Sequence, residues 1–149
     1  MAAHALLLVE DSPDDVSLIV SAISSVIPGD QIAVIRTGDE VFDYLFGRGK
    51  YLGRDIRQQP RLVLLDLNLP SISGLDVLRR LRAEPRTRCL PVVVLSASSE
   101  HRHIRAAAQI GANSYVRKSH DYTRFHDTLQ LLSRYWLEFN VPPPVSETP

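Results

Sequence analysis

Short apolar runs alternate along this chain with segments whose apolar residues recur every three or four positions. The runs Ala5–Val9, Ile32–Arg36, Leu62–Asp66, Val92–Leu95 and Ser114–Val116 predict five strands. The first, third and fourth are apolar almost throughout, as strands covered on both faces are. Between them the spacing predicts helices. Pro13 or Asp14 opens the first, and Val16, Ile19, Ile23 and Ile27 give it an apolar stripe. Gly38-Asp39-Glu40 opens the second. Ser73-Gly74-Leu75-Asp76 opens the third, with Leu75, Leu78 and Leu81 inward, and Ser98-Ser99-Glu100 opens the fourth. After Asp121, the residues Tyr122, Phe125, Leu129, Leu132, Trp136 and Phe139 form a narrow seam on a fifth helix, with Leu131, Tyr135 and Leu137 off it.

Five β–α repeats joined by right-handed crossovers predict an α/β fold with a doubly wound parallel sheet. The flavodoxin-like order 2-1-3-4-5 with five helices is the simplest arrangement. Its ligand crevice lies at the carboxyl ends of the strands, where the order reverses. Two regions leave the pattern. Gly47–Gln59 reads as a solvated loop. The segment from Val141 to Pro149 holds four prolines and is expected to be unstructured or extended. The expected division is therefore one folded domain over residues 4–139 and a proline-rich, disordered tail over 140–149.

Bulk composition removes several classes of function. The 149 residues carry 17 basic and 17 acidic side chains, and this balance argues against an electrostatic nucleic-acid partner. No apolar run has membrane-spanning length, and the start Met1-Ala2-Ala3-His4 lacks the pattern of a signal peptide. The single cysteine, Cys89, fits a reducing cytoplasm, which is the expected location. His101, His103, His120 and His126 lack partners at metal-ligand spacing and read as surface residues. Arg79, Arg80 and Arg82 read as a solvated helix face.

Candidate chemistry gathers at strand ends. Glu10 and Asp11 follow the first strand, Asp66 ends the third, Ser96 follows the fourth and Lys118 follows the fifth. Three carboxylates at one sheet edge repel unless a cation lies among them. Carboxylate oxygens suit a hard cation such as Mg²⁺. Asp66 closes an apolar run, so its carboxylate needs a partner or a reactive task, and a carboxylate can attack phosphorus to form an acyl phosphate. A hydroxyl at Ser96 and an ammonium at Lys118 suit phosphoryl oxygens.

This set of residues resembles the receiver domain of two-component response regulators, over roughly residues 4 to 139. The acid pair Glu10-Asp11, Asp66 with Pro70 and Gly74 downstream, Ser96 and Lys118 match in type and order. The resemblance implies that Asp66 accepts a phosphoryl group from a sensor histidine kinase. It implies Mg²⁺ held by Asp11, Asp66 and the Asn68 carbonyl, with Glu10 contributing directly or through water. It implies a switch in which Ser96 moves toward the phosphate and Tyr115 turns inward, and a phosphorylated-state lifetime that depends partly on Asn68 and Ser98. Ser119 stands where the family commonly has proline after the lysine. The long loop and lengthened last helix resemble single-domain receivers, some of which serve phytochrome-type sensor kinases. Such a protein catalyses only its own phosphorylation and dephosphorylation and signals through protein contacts. The apolar last helix is expected to bury spare surface in a homodimer. Two other readings stay open. One is a flavodoxin-like nucleotide- or cofactor-binding enzyme, although the acids of Glu10–Asp15 would repel a bare phosphate. The other is a receiver-shaped scaffold that is never phosphorylated.

Overall fold

A computed structural model describes residues 4–144. Five strands, β1 (Leu6–Val9), β2 (Ile32–Ile35), β3 (Leu62–Asp66), β4 (Val92–Ser96) and β5 (Ser114–Arg117), form one parallel sheet in the order β2-β1-β3-β4-β5. Five helices follow them: α1 (Pro13–Ile23), α2 (Gly38–Phe46), α3 (Gly74–Ala83), α4 (His101–Ile110) and α5 (Tyr122–Arg134). The architecture is the flavodoxin-like one expected from the apolar pattern, with strand boundaries moved by one residue at most.

Alternation along each strand divides the core between the two faces of the sheet. Leu7, Val9, Val63 and Leu65 face α2 and α3, where Phe42, Leu45, Val77, Leu78 and Leu81 close that layer. Leu6, Leu8, Leu62 and Leu64 face α1 and α5, against Ile19, Ile23, Phe125 and Leu129. The helices start where capping chemistry allows. Ser12, Thr37, Ser73 and Asp121 each accept a backbone N–H from three residues ahead, and Pro13 takes the first helical position of α1.

Several expectations change in detail. Helix α1 ends at Ile23, so Ile27 packs from a turn rather than from the helix. In α3 the core positions are Val77, Leu78 and Leu81, and Leu75 is only half-buried beside the cleft. Helix α4 begins at His101, with Glu100 as its cap residue. The 47–59 segment is not simply solvated. A 3₁₀ turn covers Gly49–Tyr51, Tyr51 packs on the core, and the buried Arg54 donates to the Tyr44 carbonyl at 3.1 Å beneath its own ring contact. Arg82 is half-buried as well. It donates to the Gly111 and Leu90 carbonyls and to Asn113 Oδ1, tying the end of α3 to β4 and β5.

The last helix departs most. A π-helical turn over Tyr135–Phe139 follows α5, and Asn140 N–H donates to the Tyr135 carbonyl at 2.7 Å. This wider turn advances the inward position by one residue. Leu137, not Phe139, therefore closes the α1–α5 layer, while Phe139 is 68% exposed. Residues 140–144 carry no helix or strand, and the Asn140 carbonyl accepts from Arg61 at 3.1 Å. The rest of the expected tail, 145–149, lies outside the described residues. All described peptide bonds are trans, including those after Lys118. Among the described residues no helix is long and apolar enough to cross a membrane.

Candidate functional site

The parallel register brings the strand ends level. Asp66 pairs with Leu95, Ser96 pairs with Arg117, and the Lys118 N–H donates to the Ser96 carbonyl at 2.8 Å. The chain leaving β1 is tied to β2 through the Glu10 N–H and the Ile35 carbonyl at 2.9 Å. A cleft of about 860 Å³ opens there, bordered by Glu10, Asp11, Asp66, Asn68, Ser96 and Lys118. It lies where the strand order reverses, as ligand crevices of such sheets do. A smaller cavity of about 180 Å³ lies at the amino ends of β3 and β4 under Pro142–Pro144, and no carboxylate lines it.

Asp66 is 5% exposed. Its Oδ1 accepts the Asn68 N–H at 3.2 Å, which orients the carboxylate across the β3–α3 loop. Gly74 makes that loop possible. A β-carbon there would lie 2.2 Å from the Asp66 carbonyl oxygen and 2.6 Å from Leu67 Cα, so only glycine lets α3 start against the strand end.

One ammonium sits among the acids. Lys118 Nζ donates to Glu10 Oε2 at 2.8 Å and to Asp15 Oδ2 at 2.8 Å, and it lies 3.5 Å from Asp66 Oδ2. Burial works against the charged lysine. The bonds to Asp15 and Glu10 and the nearby charge of Asp66 outweigh it and hold the ammonium well above the ordinary lysine range. Glu10, 2% exposed, is pushed above the usual carboxylate range by burial first and by Asp66 next, against the bond from Lys118. The cation expected from the crowding of acids is thus supplied in part by the protein itself.

Lys118 alone does not balance the cleft, because Glu10, Asp11, Asp15 and Asp66 all border it. Glu10 has both oxygens engaged, Oε1 by the Ser12 N–H at 3.1 Å and Oε2 by Lys118. The donors that remain for a hard cation are the Asp11 and Asp66 carboxylates and the Asn68 carbonyl. Among the described residues no group of three or more His, Cys, Asp or Glu side chains is arranged to hold a metal. Two carboxylates with one carbonyl nevertheless fit Mg²⁺, which is commonly held by one or two carboxylates and keeps several waters.

Ser96 and Tyr115, the two residues expected to switch, meet at Ser98. Ser96 is buried, and its Oγ accepts the Ser98 N–H at 3.1 Å. The Tyr115 hydroxyl donates to the Ser98 carbonyl at 2.9 Å. Ser98 Oγ lies 2.7 Å from His103 Nδ1, and His103 borders the cleft rather than open surface alone. Sequence reasoning missed both His103 and Asp15. A signal for Asp15 was present. With Pro13 opening α1, Asp15 falls in the first turn, aimed at the strand ends.

A model of the response regulator receiver domain matches residues 6–130. The chain belongs to the response regulator receiver family. This receiver is 31% identical over 133 residues to the response regulator Rcp1 of Synechocystis sp., covering 89% of this chain and 88% of Rcp1. The Mn²⁺-bound form of Rcp1 is also a structural neighbour, with a TM-score of 0.84, 30% identity, and coverage of 93% and 97%. The phosphorylated cyanobacterial phytochrome response regulator RcpA superposes with a TM-score of 0.86 at 31% identity, covering 95% of this receiver and 99% of RcpA. Two-component signalling by phospho-acceptance is therefore the class of activity in which this receiver stands.

Proposed function

We propose that Asp66 accepts a phosphoryl group from a sensor histidine kinase in a Mg²⁺-dependent reaction, and that the phosphorylated receiver signals through protein contacts. The observation that carries this reading is the buried Asp66 carboxylate at the end of β3, with the Lys118 ammonium 3.5 Å from its free oxygen. Transfer breaks the P–N bond of a phosphohistidine and forms a P–O bond to Asp66, and the electron pair stays on the imidazole. Asp11, Asp66 and the Asn68 carbonyl would hold the Mg²⁺. The ion supplies charge neutralisation for the phosphoryl oxygens. Lys118 supplies a point charge and Ser96 a hydroxyl donor for the same oxygens. Burial of Asp66 strengthens both contacts.

No other substrate is turned over in this reading, and the receiver acts in the cytoplasm. Its similarity to RcpA makes a phytochrome-type kinase the first partner to test. Residues 4–139 act as the signalling unit, with 140–149 as an appended segment. A homodimer through the C-terminal helix fits the exposed Leu131, Tyr135 and Phe139, which recur at four-residue spacing on its outer face.

The direct test is labelling of the full chain with Mg²⁺ and a small phosphodonor. Wild type gains one acid-labile, base-labile acyl phosphate, and Asp66→Asn gains none, because an amide cannot form it. Mass spectrometry that found equal labelling of both proteins would move the site elsewhere.

A further inference from the structure

Asp15 is the one carboxylate in contact with Lys118 that the family pattern leaves without a task. It lies in the first turn of α1, where its N–H donates to Ser12 Oγ at 3.3 Å. Its Oδ2 takes a hydrogen bond from Lys118 at 2.8 Å, as short as the one to Glu10 and shorter than the 3.5 Å approach to Asp66.

A lysine has three N–H donors on one compact charge. A phosphoryl group on Asp66 would present new anionic oxygens to that same ammonium. Glu10 and Asp15 already hold two of the three donors, so only one is left for the phosphoryl oxygens, and any further shift of the ammonium toward them loosens its hold on Glu10 or on Asp15. Glu10 has a side chain only 2% exposed, so leaving it without its ammonium would strand a buried charge. Asp15 has a side chain 32% exposed, and water can replace the lysine there. Asp15 is therefore the partner that lets go.

We propose that Asp15 is a positioning residue that competes with a phosphoryl group on Asp66 for the Lys118 ammonium, and so sets how strongly the phosphorylated form is favoured. This rests on the reading of Asp66 as the acceptor. It predicts a gain of function on removal of the acid, a sign that structural damage would not produce.

The test is calorimetric titration of the full-length protein with the phosphoryl mimic trifluoroberyllate in the presence of Mg²⁺, and with Mg²⁺ alone. Asp15→Asn should bind the mimic about fivefold more tightly than wild type, the scale of one partly exposed ionic hydrogen bond. Asp15→Glu, which keeps an acid within reach, should return toward wild type. In a Lys118→Met background, Asp15→Asn should add nothing further, since the contested group is gone. Equal or weaker binding by Asp15→Asn would overturn the proposal while leaving the acceptor reading intact. So would a loss of about tenfold or more in Mg²⁺ affinity, which would make Asp15 a metal ligand instead. A wild-type protein that binds no mimic at all would overturn the acceptor reading and this proposal with it.

Discussion

Gly74 decides how closely the third helix approaches the strand that carries Asp66. A methyl group there meets backbone, not a flexible side chain, so the loop must move. Gly74→Ala should cost about 2–3 kcal/mol by overpacking, read as a lowered denaturation midpoint, and should slow phosphoryl labelling by displacing the Asp66 carboxylate. Unchanged stability and labelling would show that the loop yields freely. At this scale the anionic residues were legible from their places after apolar runs. The division of Lys118 among three acids was not, because it depends on distances between elements far apart in sequence. Ser98 illustrates the same limit. Nothing in its neighbours along the chain indicates that Ser96, Tyr115 and His103 would all bond to it.

At the scale of elements, α5 and the turn after it carry the sharpest contrast. A strict three-four spacing aimed Trp136 and Phe139 at the sheet; Trp136 does pack against the core, but the π-helical turn brings Leu137 inward and leaves Phe139 exposed. Leu137→Ala should therefore cost about 2–3 kcal/mol as a core truncation, whereas Phe139→Ala should stay within about 0.5 kcal/mol of wild type in the monomer. Chemical denaturation of the two variants separates them, and equal costs would contradict the inward phase of Leu137. The loop after α2 makes a second element-level prediction. Burial first, and then the bond that its hydroxyl donates to Glu40 at 2.7 Å, push the Tyr51 phenol up from 10.0 to about 12. A raised value means that the folded state holds the phenolic proton more tightly. The contribution is complete below the unfolded value and is lost as pH rises through the folded one. Wild type should thus lose stability relative to Tyr51→Phe between pH 10.0 and about 12. Parallel curves for the two proteins across that window would exclude the effect.

For the whole molecule, the outer face of the last helix stands apolar and exposed. Leu131 is 72% exposed and Tyr135 51%. The dimer reading predicts a twofold mass by sedimentation velocity at micromolar concentration, reduced to a monomer by Leu131→Ser with Phe139→Ser. A monomeric wild type, with and without trifluoroberyllate, would contradict it. The sheet order, the five helices and the gathering of Glu10, Asp11, Asp66, Ser96 and Lys118 at one edge followed from the sequence alone. Apolar periodicity dictates which faces are buried, and parallel crossovers place every strand's carboxyl end on the same side. Which oxygen each charge touches was decided only by the tertiary structure. So were the capture of Lys118 by Asp15, the burial of Arg54, the partial burial of Arg82, and the inward turn of Leu137. Those outcomes depend on contacts between elements far apart in the chain and on the local winding of the last helix, and a linear pattern records neither.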